Sequence, residues 1–291
     1  VGSYSSLIVP QNLADYPSEF VIVANQNNTT VTIIPSHDLR KDGFPNVPDH
    51  KKGIPFAQNL NKGDCIQYQV IGATTGDEDA TGTIVTSNNP IGVIGASVCP
   101  FITPSDPYCD YIVDMLQPVR SWSNTYYTVP FAGRKYGGDV FLLIGSKDGQ
   151  IVFQNGIADT LTKYKAFYQD VVVNPTLWSS TEPFMLVQYV PSATHGAPSP
   201  QQRNSGDPAM VVMNGADQFR KKVIFQTPTI DLASGQKNFT NYVNILLPSA
   251  HESKTTYDGK IITLTPAGVQ KVEKFVIPGT SPVWEAIRFT Y

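Results

Sequence analysis

Val140-Phe141-Leu142-Leu143-Ile144, then a polar turn through Asp148-Gly149, then Gln150-Ile151-Val152-Phe153: this stretch decides the fold. A five-residue apolar run bounded by turn residues has the length of a central strand. The alternation that follows buries one face and solvates the other, as a half-exposed strand does. The same order occurs earlier, in Phe20-Val21-Ile22-Val23-Ala24 followed by Thr30-Val31-Thr32-Ile33, and its apolar run recurs in Tyr242-Val243-Asn244-Ile245-Leu246.

Working outward, each copy is preceded by a strand-like run ending in Pro: Leu7-Ile8-Val9-Pro10, Tyr126 to Pro130, and Val223 to Pro228. Each is followed by a leucine marker, Leu60, Leu161 and Leu264, spaced 101 and 103 residues apart. A second marker, Pro90, Pro183 and Pro282, is spaced 93 and 99 residues apart and opens a last strand in each copy. A first strand residue need not donate to the ladder, so proline is tolerated there. Several markers agreeing on one period is the signature of a duplicated unit. About 100 residues with six to eight short strands is the size of a β-sandwich. The reading is therefore all-β: three tandem β-sandwich-like repeats, at 1–122 with a cysteine loop, 123–221 with an exposed insertion at 192–208, and 222–291. Asn155-Gly156, Asp148-Gly149 and Asp258-Gly259 are hairpin signals. Asp110 to Leu116, ahead of Pro118, has room for two helical turns.

Composition agrees. The chain has 291 residues, 22 Gly, 23 Pro, 14 Tyr and 14 Phe, which supplies turns and strand formers. Charged residues are 15% and the net charge is −3, which excludes a large electrostatic footprint for nucleic acid. No apolar run approaches the roughly 20 residues of a membrane-spanning helix.

Cys99 and Cys109 bracket a short segment holding Pro100, Pro104 and Pro107. A disulfide would clasp it, worth about 2–4 kcal/mol in the loop-entropy picture; the alternative is two unpaired buried thiols. Cys65 is left over, either buried or paired elsewhere. Overlapping acceptor sequons mark Asn27 and Asn28, and a third marks Asn238. Low charge, a clasp and sequons together suggest an extracellular protein. The start at Val1, without a charged-then-apolar leader, reads as a mature or excised fragment.

Chemistry-bearing residues are sparse. His37, His50, His195 and His251 lack close-ligand spacing and read as solvated, and no metal or cofactor is expected. Gly95-Ala96-Ser97-Val98-Cys99 lacks the second glycine of a nucleophile elbow. Asp106 and Asp110 could act as an acid–base pair in a hydrolase, but loop capping is the plainer role. Gly76-Asp77-Glu78-Asp79 lacks calcium-loop spacing. Gly133-Arg134-Lys135-Tyr136-Gly137-Gly138 reads as a flexible basic turn and Arg220-Lys221-Lys222 as a solvated strand edge. Trp122, Trp178 and Trp284 fall about one per repeat, as packing residues do, with a sugar-stacking platform as the alternative.

The string from Phe20–Ala24 through Leu60-Asn61-Lys62-Gly63-Asp64, Thr81-Gly82-Thr83 and Pro90-Ile91-Gly92-Val93-Ile94-Gly95 to Cys99…Cys109-Asp110, Leu116-Gln117-Pro118 and Trp122 resembles the amino-terminal domain family of IgGFc-binding proteins. Asp207-Pro208-Ala209-Met210 and Gln218-Phe219 extend the likeness. The resemblance implies β-rich repeats, a Cys99–Cys109 bridge, secretion, and a role in mucus, matrix or adhesion. The expected function is a non-enzymatic extracellular structural or adhesive module with protein or glycan partners and a capacity to self-assemble. A lectin-like module and a hydrolase with loop-borne carboxylates are the alternatives.

Overall fold

The computed structural model describes residues 17–41, 50–71, 79–103, 108–199, 201–226, 240–257, 259–262 and 268–291. The fold is all-β, with antiparallel pairing throughout its sheets. Leu7–Pro10, Asp77–Glu78, Asp106, Asn238, Asp258 and Leu264 lie outside the described residues.

The first segment contains β1 (Ser18–Ala24), β2 (Thr29–Ile34), β3 (Leu39–Lys41), β4 (Phe56–Leu60), β5 (Cys65–Val70), β6 (Ile84–Ser87), β7 (Ile91–Ser97) and β8 (Ile112–Met115). They form two sheets, β3-β5-β1-β7-β8 and β4-β2-β6. Phe20, Ile22 and Ala24 of β1, Val31 and Ile33 of β2, and Ile66, Tyr68 and Val70 of β5 close the sandwich core between them. Burial on alternate residues is what the period-2 pattern predicts. His50, expected in solvent, stacks on Phe56 at 3.5 Å between ring centroids and closes a bridge to Leu39.

The second segment contains β9 (Ser123–Thr128), β10 (Asp139–Gly145), β11 (Gln150–Gln154), β12 (Ile157–Leu161), β13 (Ala166–Val172), β14 (Thr176–Val190) and β15 (Ala209–Val212). Its pairings repeat those of the first. β5-β1-β7 corresponds to β13-β10-β14, and β4-β2-β6 to β12-β11-β14. The difference lies in one joint. Asn88-Asn89-Pro90 separates β6 from β7, whereas β14 runs on through Pro183 with a register irregularity between Ser179 and Phe184. Proline is accommodated where a bulge interrupts the ladder. The two layers of the second segment are thereby one seven-stranded sheet. Asn155-Gly156 forms the expected β11–β12 hairpin, with both residues at positive φ. The Asp148-Gly149 turn instead hands the chain from β10 to β11, which both pair with β14.

The third segment departs from the plan. It contains β16 (Tyr242–Pro248), β17 (Thr256–Tyr257), β18 (Lys260–Ile261), β19 (Lys271–Ile277) and β20 (Trp284–Thr290). Its main sheet is β16-β20-β19, with β20 central, an order neither earlier segment has. Val223–Gln226, expected as its first strand, is exposed and outside any strand, and so is the basic cluster Arg220–Lys222. The same order is therefore seen twice, not three times, among the described residues.

Glu285 on β20 is buried beside Lys274 of β19 and under Glu252; Lys274 Nζ lies 2.6 Å from Glu252 and 3.9 Å from Glu285. Burial pushes the Glu285 carboxyl up, Lys274 pulls it down, and Glu252 pushes it further up, for a net rise. The folded chain thus holds a proton there more readily than the unfolded chain. That contribution to stability is present at low pH and is lost as pH rises through the raised value. We expect Glu285→Gln to flatten the change of melting temperature between about pH 4 and 7. Identical slopes in melts of the two proteins would contradict this.

Candidate binding face

The outer face of the first sheet is built by strand register. Across it, Met115 stands opposite Ile94, Ile94 opposite Val21, and Val21 opposite Gln67. The next row runs Val113, Ala96, Glu19, Gln69 and Arg40. A third places Val23 between Gly92 and Cys65, whose thiol is exposed. The face grades from apolar on β8 and β7 to polar on β5 and β3. Met115 is 62% and Val113 46% exposed, Val21, Val23 and Ile94 are half-buried, and Ala96 and Glu19 are buried. The polar half is held in place: both Gln67 and Gln69 donate through Nε2 to one oxygen of Glu19, and Arg40 Nε donates to Gln69 Oε1 at 3.0 Å. Tyr111, half exposed, is close enough to Glu19 for the carboxylate to join burial in raising its phenol pKa.

In the second segment the corresponding face is covered. Val140, Leu142 and Ile144 of β10 and Met185, Val187 and Tyr189 of β14 are packed beneath Ile102, Ile112 and Trp122. All three covering residues come from the stretch that follows β7. β10 is consequently buried at every position, its other side (Phe141, Leu143) facing Val152, Leu161 and Trp178. The expected helical turns at Asp110–Leu116 are absent: β8 extends the first sheet, and Asp114 accepts the Val212 N–H of β15 at 2.7 Å.

The covering stretch is locked at its ends. Cys99 and Cys109 are disulfide-bonded with Cα atoms 4.9 Å apart. Thr103 Oγ1 lies 3.2 Å from His195 Nδ1, and His195 Nε2 lies 3.2 Å from the Gly137 carbonyl. A carbonyl only accepts, so Nε2 carries the proton and Nδ1 accepts the Thr103 hydroxyl. Asn204 donates to the His195 carbonyl and accepts the Tyr136 N–H at 2.7 Å. This corrects two expectations. His195 is 5% exposed and not solvated. The 192–208 insertion, exposed at many of its described residues, is pinned through the buried Ser192, His195 and Asn204. The Gly133–Gly138 turn is tied down by Arg134, whose Nη1 donates to Ser192 O. Gly137 itself has φ +68, and a Cβ there would collide with the His195 ring. Replacing Cys99 with Ala should lower stability by about 2–3 kcal/mol and increase proteolytic nicking within 99–109; an unchanged melting curve and nicking rate would contradict a structural role for the clasp.

A second lock joins the last two segments. Asp139 is fully buried and accepts N–H groups from Phe131 at 2.7 Å and Gln188 at 2.8 Å, with Arg134 Nε 3.9 Å away. Burial pushes its carboxyl up, against the pull of those donors and of Arg134 and Arg288. Arg288 on β20 donates to Pro130 O and to Asn244 Oδ1. Trp284 packs against Tyr127 with the rings tilted and their centroids 4.7 Å apart. The three tryptophans thus serve packing: Trp178 in the core, Trp122 over the outer face of the second segment, and Trp284 at this seam.

Among the described residues, no three His, Cys, Asp or Glu come together as a metal site. No helix there is long and apolar enough to cross a membrane. Asp110 accepts the neighbouring Tyr111 N–H, and Asp79 accepts the Thr81 N–H. Sequence reasoning missed the face itself. Its signal was the alternation Glu19, Val21, Val23 inside a run that looks uniformly apolar.

The sequence model of the IgGFc binding protein family matches residues 2–289. The chain belongs to that family. No curated protein and no solved structure matches it. For this IgGFc-binding family member, the expected family likeness therefore spans both locks and the open face.

Proposed function

We propose that the chain is a non-enzymatic extracellular binding module of a mucus, matrix or surface-coat assembly, and that it presents the outer face of its first sheet to a protein partner. One observation carries this reading. The same face is used twice, covered by a clasped segment in the second unit and left partly open among the described residues in the first, where Val113 and Met115 are exposed and Glu19 and Ala96 are buried. The covered copy buries a cluster of apolar side chains, as a permanent contact does. The first copy mixes Val21, Ile94 and Met115 with Gln67, Gln69 and Arg40, above the buried Glu19, which suits a surface that meets both water and a partner. The disulfide fits an oxidising compartment. We read 1–122, 123–221 and 222–291 as successive modules whose seams are filled by buried side chains, which keeps the face rigid.

The test uses immobilised purified probes: immunoglobulin Fc fragments, because the family takes its name from them, secreted mucin glycoproteins, and a defined glycan array. Binding to a protein probe, weakened about tenfold or more by Met115→Asp with an unchanged melting temperature, is expected. Binding that Met115→Asp leaves intact would overturn the assignment of the face. Glycan binding alone would favour a lectin, and turnover abolished by one substitution would favour the hydrolase.

A further inference from the structure

The two overlapping sequons share the turn between β1 and β2, and the fold treats their asparagines differently. Asn27 is engaged: its Oδ1 accepts the Lys62 N–H at 3.1 Å. Asn28 sits at the tip, exposed, with φ +56. Its backbone carbonyl accepts the side-chain N–H groups of Asn88 and Asn89, while its own carboxamide has no hydrogen-bond partner among the described residues. The hydroxyl residues differ as well. Thr29, which belongs to the Asn27 sequon, is fully buried and donates to Gln26 O at 2.7 Å. Thr30, which belongs to the Asn28 sequon, is exposed and holds only Asn59 Oδ1.

We infer that Asn28 is the modified residue of this pair and carries an N-linked oligosaccharide; the inference rests on the extracellular reading above. A glycan sits on the surface of the folded chain, and the sequon that carries it is expected to have its asparagine carboxamide and its hydroxyl at that surface. Only Asn28 with Thr30 keeps both in the folded turn. In the transfer, the bond from sugar C1 to the pyrophosphate of a lipid-linked oligosaccharide breaks and a C1–Nδ2 bond forms. Nδ2 loses one proton, the lipid pyrophosphate leaves, and nothing is oxidised or reduced.

The position also has a consequence for the module. β2 runs from this turn to Ile34, which pairs with Ile84 beside Gly82. Gly82 is one place where the first segment touches the second, since a Cβ there would collide with the Tyr164 carbonyl. The turn is therefore at the end of the first sandwich away from that contact, so a glycan there displaces no packing seen among the described residues. It lies past Val23 and Cys65, at the opposite end of the outer face from Tyr111 and Val113, and leaves that end open to a partner.

The experiment is secretion of the full chain from eukaryotic cells behind a leader peptide, with Asn238→Gln present throughout, followed by glycopeptide mass spectrometry before and after peptide N-glycosidase. One glycan at Asn28 is expected, retained in Asn27→Gln and lost in Thr30→Ala. Asn28→Gln should lose it too; Thr30→Ala covers the case in which Gln is poorly tolerated at the left-handed position. A glycan at Asn27, or none on a secreted chain whose Cys99–Cys109 bond has formed, would overturn the site and leave the extracellular reading standing. A chain from its natural source with Cys99 and Cys109 both as thiols would remove the extracellular reading, and this inference with it.

Discussion

Asp139→Ala should destabilise the chain by about 3–5 kcal/mol, because it leaves buried partners behind. The carboxylate accepts from the Phe131 N–H and the Gln188 amide and stands beside Arg134, whose side chain is 1% exposed. Alanine removes the acceptor, and the donors and guanidinium stay in place without water to replace it. The loss spreads further than one site. Gln188 also donates to Val129 O at 3.0 Å, and Arg288 donates to Pro130 O, so the turn after β9 is held from both sides by groups that Asp139 orders. Urea unfolding should show a lower midpoint with the slope preserved. Asp139→Asn keeps one acceptor oxygen and should cost less than Asp139→Ala. A loss below about 1 kcal/mol in Asp139→Ala would mean that the network is not holding the seam.

Much of the fold was legible in short apolar runs, because their burial is set locally by period and turn chemistry. The run Val140–Ile144 and its counterpart Phe20–Ala24 became β10 and β1, each central in its sheet. The opening strand expected for the third copy was misread for a physical reason. A strand pattern says that a segment suits a ladder, not that a neighbouring edge exists. Val223–Phe225 has the side chains of a strand, yet Ile224 is 87% exposed. Asp110–Leu116 failed in the opposite sense. Its β-branched Ile112 and Val113 joined the edge offered by β7, and Asp114 then fixed β15 alongside. The site residues were least legible because their partners are remote. His195 reads as a surface histidine until Thr103, 92 residues away, is brought against it. The outer face depends on five strands meeting in register, which no local window contains.

The second large effect distinguishes the two copies of that face. Val21 and Leu142 occupy the same place in their units: each lies on the outer side of the central strand, between the core residues Phe20 and Ile22 or Phe141 and Leu143. Val21 is half-buried and faces Ile94; Leu142 is 0% exposed and lies under the clasped segment. A lysine at position 21 can extend its ammonium into water along the sheet. At position 142 it would place an unpaired charge in a filled apolar contact, at a cost of roughly 4 kcal/mol or more. Equilibrium unfolding of Val21→Lys and Leu142→Lys, measured side by side, is therefore the most direct measurement of one scaffold used twice with a single face left open. Val21→Lys should stay within about 1 kcal/mol of the parent chain while Leu142→Lys loses its cooperative transition or most of its stability. Equal losses in the two variants would show that the first face is as closed as the second.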